Sequence, residues 1–258
     1  MKLTRSWLAE FIDLPGLSTT ELIEAFENLG HEIEDSELIE ATFKGVVIGR
    51  VLEVAPHPNA DKVRLTKVDV GTEVLDIICG AWNFEAGAVV PVAVPGAVLG
   101  GDFEITRREI RGVTSNGMIC SETELDLGED ADGIMVLNDD YPESNDRIGE
   151  PFESLLDLPD LYLEVNVTPN RPDCLSVYGL ARDLAALFEV DLRDHGIEVS
   201  EVGEPSSVTV DVEVPELNAR FAGREVRGIT VGPSPHWMRR RLELAGMRPI
   251  SNVVDASN

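Results

Sequence analysis

Five short runs of β-branched residues between positions 46 and 137 constrain the fold of this chain more than any other feature. In the first run, Gly49 interrupts the apolar residues, which is typical of a strand that bends sharply. Short bent strands close readily into a barrel, because closure removes the unpaired edges of a sheet. The five runs, which together predict a closed β-barrel, are residues 46–54, 63–70, 74–79, 89–94 and 104–110.

The second run also predicts a local irregularity. Its apolar residues Val63, Leu65, Val68 and Val70 alternate, skip one residue and alternate again. A phase change of one residue is the pattern that a β-bulge leaves in a sequence. We therefore expect a bulge in the second strand.

The charge of the chain argues against a general nucleic-acid-binding protein. The sequence holds 48 acidic residues against 21 lysines and arginines, which gives a net charge of −27. Binding to nucleic acid depends largely on lysine and arginine side chains that neutralise phosphates. A chain of this composition can contact an RNA through local basic spots, while its acidic remainder faces solvent.

Two local basic spots lie within the predicted barrel. In the first, Lys62 and Arg64 have the same parity and therefore share one face of a strand. The second is the densest positive cluster of the barrel and has Glu104 and Glu109 as neighbours. Either spot could contact a phosphate backbone, or consist of ordinary solvent charges and cross-strand pairs. The candidate RNA contacts are Lys62, Arg64, Arg107, Arg108 and Arg111.

Aromatic residues that could stack on bases are scarce in the predicted barrel. After the start of the first strand the candidates are Trp82, Phe84 and Phe103, without any alternation of aromatic and basic residues. Proteins that bind single-stranded nucleic acid usually stack bases on such side chains. We therefore expect contact with RNA shape and backbone rather than the reading of bases.

Other chemistry is indicated only weakly. Cys79, Cys120 and Cys174 are too scattered for a disulfide framework or a zinc site. His57 has no partner at ligand spacing and lies among prolines, which favours a loop-shaping role. The acidic run 122–132 does not match a calcium-binding loop and is expected to be solvated. With no apolar run near about 18 residues and no signal sequence, we expect no membrane span and a cytoplasmic protein.

The segments on either side of the barrel are short and amphipathic. Residues 1–40 predict two helices, residues 161–167 a strand and residues 175–188 a further helix. Each segment is too small to bury a core alone, so we expect them to pack together. Arg171 and Asp173 lie just before the helix predicted at 175–188. They are either a functional pair or, as their position favours, a structural clamp at the start of that helix.

The last part of the chain begins with an acidic linker, residues 195–207. Residues 208–214 and 221–229 alternate between apolar and polar residues and predict two strands. A helix is predicted to begin with Ser234 as its N-cap and to end at Gly246.

Three consecutive arginines, Arg239, Arg240 and Arg241, lie on that helix. Such a run usually forms a solvated helix face, and contact with RNA or with a partner is the alternative.

Several long motifs resemble one known family. HPNADKV (57–63), ICGAWN (78–83) and SNGMICSETELDLGEDADGI (115–134) are similar to the tRNA-binding domain of bacterial phenylalanyl-tRNA synthetase β subunits. MKLTRSWLAEFIDL at the start and VTPNRPDCLSVYGLARDLAAL (167–187) resemble the two halves of a small domain that brackets this barrel. VGPSPHWMRRRLELAGMRPISNVVDASN (231–258) resembles the opening of the family's editing domain.

The resemblance implies an α+β multidomain fold. An OB-fold β-barrel of the tRNA-binding type, residues 41–150, would be inserted into a small helical domain made of residues 1–40 and 151–198. Residues 199–258 would begin an α/β editing domain of the B3/B4 type.

The resemblance also implies a function. The β subunit of phenylalanine–tRNA ligase binds tRNA(Phe) and hydrolyses mischarged Tyr-tRNA(Phe). The α subunit attaches phenylalanine with ATP and Mg²⁺, in a heterotetramer of two α and two β subunits. This chain has neither a glycine-rich phosphate loop nor a class II synthetase motif, so we expect no cofactor to be bound by its own residues.

Ser257 and Asn258 fall on a Thr-Asn pair of the family's editing pocket, with serine in place of threonine. The resemblance places them at the pocket rim and the remaining pocket residues further along, so we expect the 258-residue chain by itself to be catalytically inactive. Capping of the next element is the other interpretation. A free-standing tRNA-binding module or RNA chaperone remains the alternative function, although it would need neither residues 167–187 nor residues 231–258.

Overall fold

The computed structural model describes residues 1–14, 16–128, 131, 133–194, 196, 199–200, 203 and 205–258. Within these ranges, no helix is both long enough and apolar enough to span a membrane. The predicted linker 195–207 and the acidic run 122–132 lie partly outside the described residues.

Strands and short helices are mixed along the chain, as expected for an α+β protein. The strands are β1 Lys2–Thr4, β2 Glu32–Ile39, β3 Lys44–His57, β4 Ala60–Asp69, β5 Val74–Cys79, β6 Val89–Leu99, β7 Phe103–Glu104, β8 Arg108–Ile110, β9 Val113–Ser115, β10 Met118–Ile119 and β11 Asp160–Asn166. The α-helices are α1 Arg5–Ala9, α2 Thr19–Asn28, α3 Val177–Phe188, α4 His236–Leu244 and α5 Asn252–Asp255.

The predicted barrel region forms one antiparallel sheet, here called the central sheet. Its strand order is β10-β6-β3-β4-β5, and β7 also pairs with β6. Gly49 gives β3 the room to lie against its neighbours, because a Cβ atom there would come within 2.6 Å of Val92 Cγ2. The first four predicted strands are confirmed, with ends that differ by a few residues.

The predicted fifth strand, residues 104–110, is wrong. Only β7 and the next residue, Ile105, bond to the central sheet there, and β8 and β9 form a separate hairpin. Ile105 is buried, but the following residues 106–109 are all exposed, so this run has no apolar face with which to cover the sheet. The fifth position of the sheet is taken by the two-residue strand β10.

The predicted bulge lies in the wrong strand. The pairing of β3 with β4 passes from Val51 opposite Val68 to Glu53 opposite Lys67, so the extra residue is Leu52 in β3. Strand β4 pairs without a slip from Arg64 to Asp69, and a second shift lies at the turn, where residues 61–63 separate the partners of His57 and Pro56. The buried face of β4 includes Arg64 and Thr66. The apolar pattern changes phase because two inward positions of β4 hold polar residues.

A closed barrel is not found. Among the described residues no strand ladder joins β5 to β10, and the central sheet remains an open path. Isolated hydrogen bonds bridge the gap: Asn116 N–H and the Asn116 side-chain amide donate to Asp76 O over 2.8 and 3.5 Å, and Ile78 N–H donates to Ser115 Oγ over 3.0 Å. The segment before β10 is therefore joined to β5 by isolated hydrogen bonds and apolar packing rather than by a strand ladder.

The beginning of the chain and residues 160–188 share one core. Strands β1, β11 and β2 form a three-stranded antiparallel sheet, and Phe26 of α2 and Leu184 of α3 belong to the same buried apolar cluster. Strand β2 was not predicted, since only helices were expected in residues 1–40. Its residues are mostly exposed and acidic, so no clear apolar alternation marks it.

Residues 205–258 contain helices but no strand, so the two strands predicted at 208–214 and 221–229 are wrong. Their apolar side chains, among them Val208 and Phe221, are exposed, and no described strand pairs with them. Helix α4 ends before Gly246, as predicted, with the glycine at φ +78°. Its N-cap is Pro235, because the Ser234 hydroxyl instead donates to Asp255 Oδ2 over 2.5 Å.

Candidate nucleic-acid interface

Strand β4 carries the first basic spot, and the structure separates its two members. Lys62 is exposed, but Arg64 is buried, with only 5% of its surface accessible. The Arg64 guanidinium donates to the carbonyl oxygens of Ala81 and Phe84 over 3.1 and 2.9 Å. The Arg64 guanidinium is therefore covered and occupied by these carbonyl groups, which argues against the prediction that it contacts RNA.

Arg64 instead lies between two aromatic rings of the loop that follows β5. Its Cζ atom is 4.9 Å from the centroid of the Trp82 ring and 4.5 Å from that of the Phe84 ring. Both distances are within the range of cation–π attraction. Phe84 is buried, but Trp82 is 62% exposed. We call this stack of Phe84, Arg64 and Trp82 the Trp82 platform.

The second basic spot belongs to the basic hairpin, defined as residues 107–115 with strands β8 and β9. Arg107, Arg108 and Arg111 are all exposed, and no ion pair joins them to an acid in the described part of the chain. The expected alternative, cross-strand pairing with glutamates, is not observed, since Glu109 lies opposite Thr114. The Arg108 Cζ atom lies 5.5 Å from the centroid of the exposed Phe103 ring, and all three arginines remain accessible to solvent.

Contacts from the β3–β4 turn hold the basic hairpin in place. Asn59 N–H donates to His57 Nδ1 over 3.1 Å, so the ring proton is on Nε2, which lies 3.3 Å from the Ile110 carbonyl oxygen. The Asn59 side-chain amide donates to Arg111 O over 3.1 Å. His57 is buried and joins two loops, which confirms its predicted loop-shaping role.

Lys62, the Trp82 platform and the basic hairpin lie at one end of the central sheet. Arg64 pairs with Cys79 across β4 and β5, and a Cβ atom on Gly80 would lie 4.0 Å from Lys62 O. Asn59 links the same end to the basic hairpin. We call the exposed cations of this end the basic end: Lys62, Arg107, Arg108 and Arg111.

The three arginines of α4 are in a different position. The Arg239 guanidinium makes two hydrogen bonds to the Glu122 carboxylate, at 3.1 and 2.6 Å. Arg241 forms an ion pair with Glu10 and lies 5.2 Å from the centroids of the Trp7 and Trp237 rings. The predicted solvated helix face is therefore wrong for these two arginines.

Helix α4 also contacts the segment that follows the central sheet. His236 N–H donates to Asp140 Oδ2 over 3.0 Å, and the Tyr141 hydroxyl lies 2.6 Å from His236 Nδ1. Burial lowers the pKa of His236, and it raises the pKa of Tyr141. Glu122, predicted to be solvated, is buried beneath the same helix.

The residues around the start of α3 form a charged cluster. Arg171 Nη2 lies 3.0 Å from Asp173 Oδ2, 2.5 Å from Asp183 Oδ2 and 2.9 Å from Cys174 Sγ. Hydrogen bonding to Arg171 lowers the pKa of Asp173 to about 2. His31, Cys174 and Asp183 are close enough together to hold a metal ion. The Arg171 guanidinium already supplies a cation there, consistent with the predicted clamp.

Ser257 and Asn258 lie just after α5 and are exposed. The Ser257 hydroxyl donates to Val254 O over 2.6 Å, inside its own helical turn. Asp255 ends the short helix α5, which is capped at its start by Ser251. The Asp255 carboxylate accepts from Ser234 and from Ile250 N–H.

Comparison with family models defines the class of protein to which this sheet belongs. The family described as "Putative tRNA binding domain" matches residues 46–146, which contain the central sheet and the basic end. The family described as "B3/4 domain" matches residues 217–258. The chain thus combines a tRNA-binding domain with part of a B3/4 domain.

Comparison with whole proteins identifies the family. The chain is 47% identical to the phenylalanine–tRNA ligase β subunit of Geobacter sulfurreducens and 46% identical to that of Anaeromyxobacter dehalogenans, and both alignments cover 100% of this chain. That of Geobacillus kaustophilus is also 46% identical. The chain belongs to this β-subunit family and corresponds to its N-terminal portion. It spans 32–33% of the length of these relatives.

Proposed function

We propose that this chain supplies tRNA binding to a phenylalanine–tRNA ligase. The observation that carries the proposal is the match of the tRNA-binding family to the sheet that holds the basic end. Similarity over the whole chain supports a ligase subunit over a free-standing tRNA-binding module or RNA chaperone. In the complete enzyme an α subunit would attach phenylalanine to tRNA(Phe), with ATP and Mg²⁺, in a heterotetramer of two α and two β subunits.

Within this proposal the central sheet is a partly open OB-fold barrel. OB folds are five-stranded, partly open barrels, and their ligands bind beside the second and third strands and the adjoining loops. In the central sheet those strands are β4 and β5, whose shared end holds the Trp82 platform and Lys62. The isolated bonds between β5 and the segment before β10 are consistent with partial opening.

The proposed domains follow the sequence-based division. Residues 1–40 and 151–198 would form one small domain, with the barrel 41–150 inserted between them and the editing domain starting at 199. The apolar cluster shared by Phe26 and Leu184 supports the first domain. Phe152 and Leu155 pack in the cluster of the central sheet, which suggests that the boundary falls slightly after residue 150.

Neither ATP nor Mg²⁺ is assigned to residues of this chain. Mg²⁺ prefers oxygen ligands in octahedral geometry. The metal-sized group of His31, Cys174 and Asp183 offers a thiol and an imidazole beside a guanidinium, which does not fit that ion. We therefore assign nucleotide and metal binding to the α subunit.

Binding of tRNA at the basic end would be local and sensitive to salt. The net charge of −27 repels phosphates at long range, so the four cations of the basic end must neutralise phosphates at short range. The substitution Arg108→Glu with Arg111→Glu is expected to weaken binding of a tRNA(Phe) transcript about 10-fold or more and to make the salt dependence shallower.

A matched control makes that experiment specific. Arg220→Glu with Arg248→Glu changes the net charge by the same amount at exposed positions outside the central sheet. The control should bind tRNA nearly as the unsubstituted chain does. Equal losses in both variants would mean that only the overall charge matters, and no loss in either would place tRNA elsewhere.

The B3/4 match supports a part in editing, with Ser257 and Asn258 proposed at the rim of the hydrolytic pocket. Asp255, two positions before Ser257, is poorly placed as a general base, because its carboxylate already accepts two hydrogen bonds and Ser257 bonds to its own helix. We expect no deacylation of Tyr-tRNA(Phe) by this chain. In a β subunit that does deacylate, Ser257→Ala should lower the rate, and an unchanged rate would remove Ser257 from the pocket.

A further inference from the structure

The Trp82 platform is an exposed aromatic surface with a rigid support. Trp82 is 62% exposed, while the Arg64 and Phe84 side chains that lie behind it are 5% and 4% exposed. Arg64 is itself held by hydrogen bonds to Ala81 O, Phe84 O and Glu85 Oε1. The indole therefore has little freedom to lose when a ligand stacks on it, which favours binding.

Hydrogen bonds from the next segment hold the loop that carries the platform. The Asn83 side chain donates to Ile134 O over 2.8 Å and accepts from Ile134 N–H over 3.2 Å. Asn138 Oδ1 accepts from Val89 N–H over 2.8 Å, and its amide donates to Gly87 O over 3.3 Å. Both ends of the loop are thus fixed before any ligand arrives.

Two clefts flank the platform, and Trp82 lines both. The larger has a volume of about 820 Å³, and its walls include Cys79, Ser121, Glu124 and Ile134. The smaller has a volume of about 570 Å³ and extends along Phe84 towards Asn138. Clefts of this size accept groups up to that of a nucleotide.

The charges around the platform favour a base over a phosphate inside the larger cleft. Among the described residues that line it, Glu124 carries a charge and would repel a phosphate. Lys62 lies outside, on the strand beside Gly80, and is exposed. These charges favour a base rather than a phosphate inside the cleft, with Lys62 as an exposed cation on the neighbouring strand.

We propose that the exposed face of Trp82 is a stacking site for one unpaired base of the bound RNA, with Lys62 as the cation for the adjoining phosphate. This inference rests on the proposed function, because it places a base-binding subsite beside the basic end. Stacking on an aromatic side chain tolerates any base, since every base has a π face. The site would thus add affinity for an unstacked nucleotide without reading its identity.

The test replaces Trp82 by leucine and by phenylalanine in the 258-residue chain. Trp82→Leu should bind a tRNA(Phe) transcript about 10-fold more weakly, with an unchanged salt slope, because stacking involves no counterion release. Trp82→Phe should stay within about threefold of the unsubstituted chain, since it keeps a ring. Phe221→Leu removes an aromatic side chain of similar exposure, 63%, outside the central sheet, and should change nothing.

A second probe detects the stacked base itself. A single-stranded RNA hexamer containing 2-aminopurine should lose fluorescence on binding the unsubstituted chain and keep it with Trp82→Leu. Thermal unfolding of each variant checks that the fold is retained, which the exposure of Trp82 leads us to expect.

Three results would overturn the stacking site. Equal tRNA binding by Trp82→Leu and by the unsubstituted chain removes it, and the proposed function stands if Arg108→Glu with Arg111→Glu still weakens binding. Loss of association with a protein subunit, with tRNA binding unchanged, would make Trp82 a protein contact. If the unsubstituted chain binds tRNA no better than the variant Arg108→Glu with Arg111→Glu does, both the basic end and the stacking site are rejected as tRNA contacts.

Discussion

The basic hairpin and helix α4 each contain a cluster of arginines, but the clusters differ in whether acids of the same chain pair with them. Each holds three arginines within five positions. The hairpin arginines are exposed and make no ion pair with a described acid. In α4, Arg239 is bound to Glu122 and Arg241 to Glu10.

The difference comes from acids that are distant along the chain. Glu122 precedes Arg239 by 117 positions, and the fold brings it beneath α4. No described acid forms an ion pair with the hairpin arginines, and the neighbouring Glu109 lies opposite Thr114. A cluster of arginines therefore indicates RNA contact only if the tertiary structure leaves it unpaired.

The largest expected effect that tests this comparison is on stability. Arg239→Ala leaves the Glu122 carboxylate, which is 9% exposed, without its partner. Removing one member of a buried ion pair costs several kcal/mol, and we expect about 2–4 kcal/mol of unfolding free energy to be lost, since Arg239 is partly exposed. Arg108→Ala should stay within about 0.5 kcal/mol. Urea unfolding of both variants measures the contrast, and similar losses would contradict it.

The salt dependence of tRNA binding reports how many cationic side chains contact phosphates. If the four cations of the basic end each neutralise one phosphate, the logarithm of the affinity should fall with that of the salt concentration with a slope of about −3 to −4. If the three arginines of α4 also contacted phosphates, the slope would be about −6. The steeper slope would show that α4 releases its acids to bind RNA.

A smaller effect is expected from the pH dependence of α4 packing. Burial lowers the pKa of His236, so the unfolded chain binds a proton more readily than the folded chain does. The contribution of His236 to stability is therefore complete above about pH 6.5 and lost as the pH falls below it. His236→Gln should show a flatter decline of the urea midpoint between about pH 7 and pH 5. Parallel profiles for the two chains would exclude His236 as the cause.

The smallest effect concerns the positioning of the basic hairpin. His57→Ala removes the donor to Ile110 O and the acceptor of Asn59 N–H, which leaves the Asn59 side chain as the remaining hydrogen bond described here between the β3–β4 turn and the hairpin. We expect tRNA affinity to fall by about threefold, because the arginines remain but lose order, a cost of under about 1 kcal/mol. The salt slope should be unchanged. A shallower slope would mean that His57 itself carries charge to the phosphate.

The sequence predicted the parts of the fold that local pattern determines. Strands β3 to β6 follow continuous β-branched runs, and α3 follows its apolar spacing. Strand β2 has few apolar residues, so only its pairing with β11 makes it a strand. The strands expected in 208–229 show the reverse, since an alternating pattern forms no strand without a neighbour.

The candidate interface was predictable only in part. The exposed state of Lys62 and of the hairpin arginines agrees with their polar surroundings in sequence. The burial of Arg64 depends on the pairing of Arg64 with Cys79, which brings the carbonyl groups of Ala81 and Phe84 within reach. The Trp82 platform depends on the same pairing, so neither could be inferred from residue types alone.

The clamp around Arg171 has a consequence for the chemical durability of the chain. Cys174 is buried among these charges, and burial raises its pKa to about 11. Burial likewise raises the pKa of Cys79, and that of Cys120 to about 12. Because the thiolate is the reactive form, all three cysteines should resist oxidants and alkylating reagents while the chain is folded. The rate at which a thiol reagent modifies them would then report how often the structure opens.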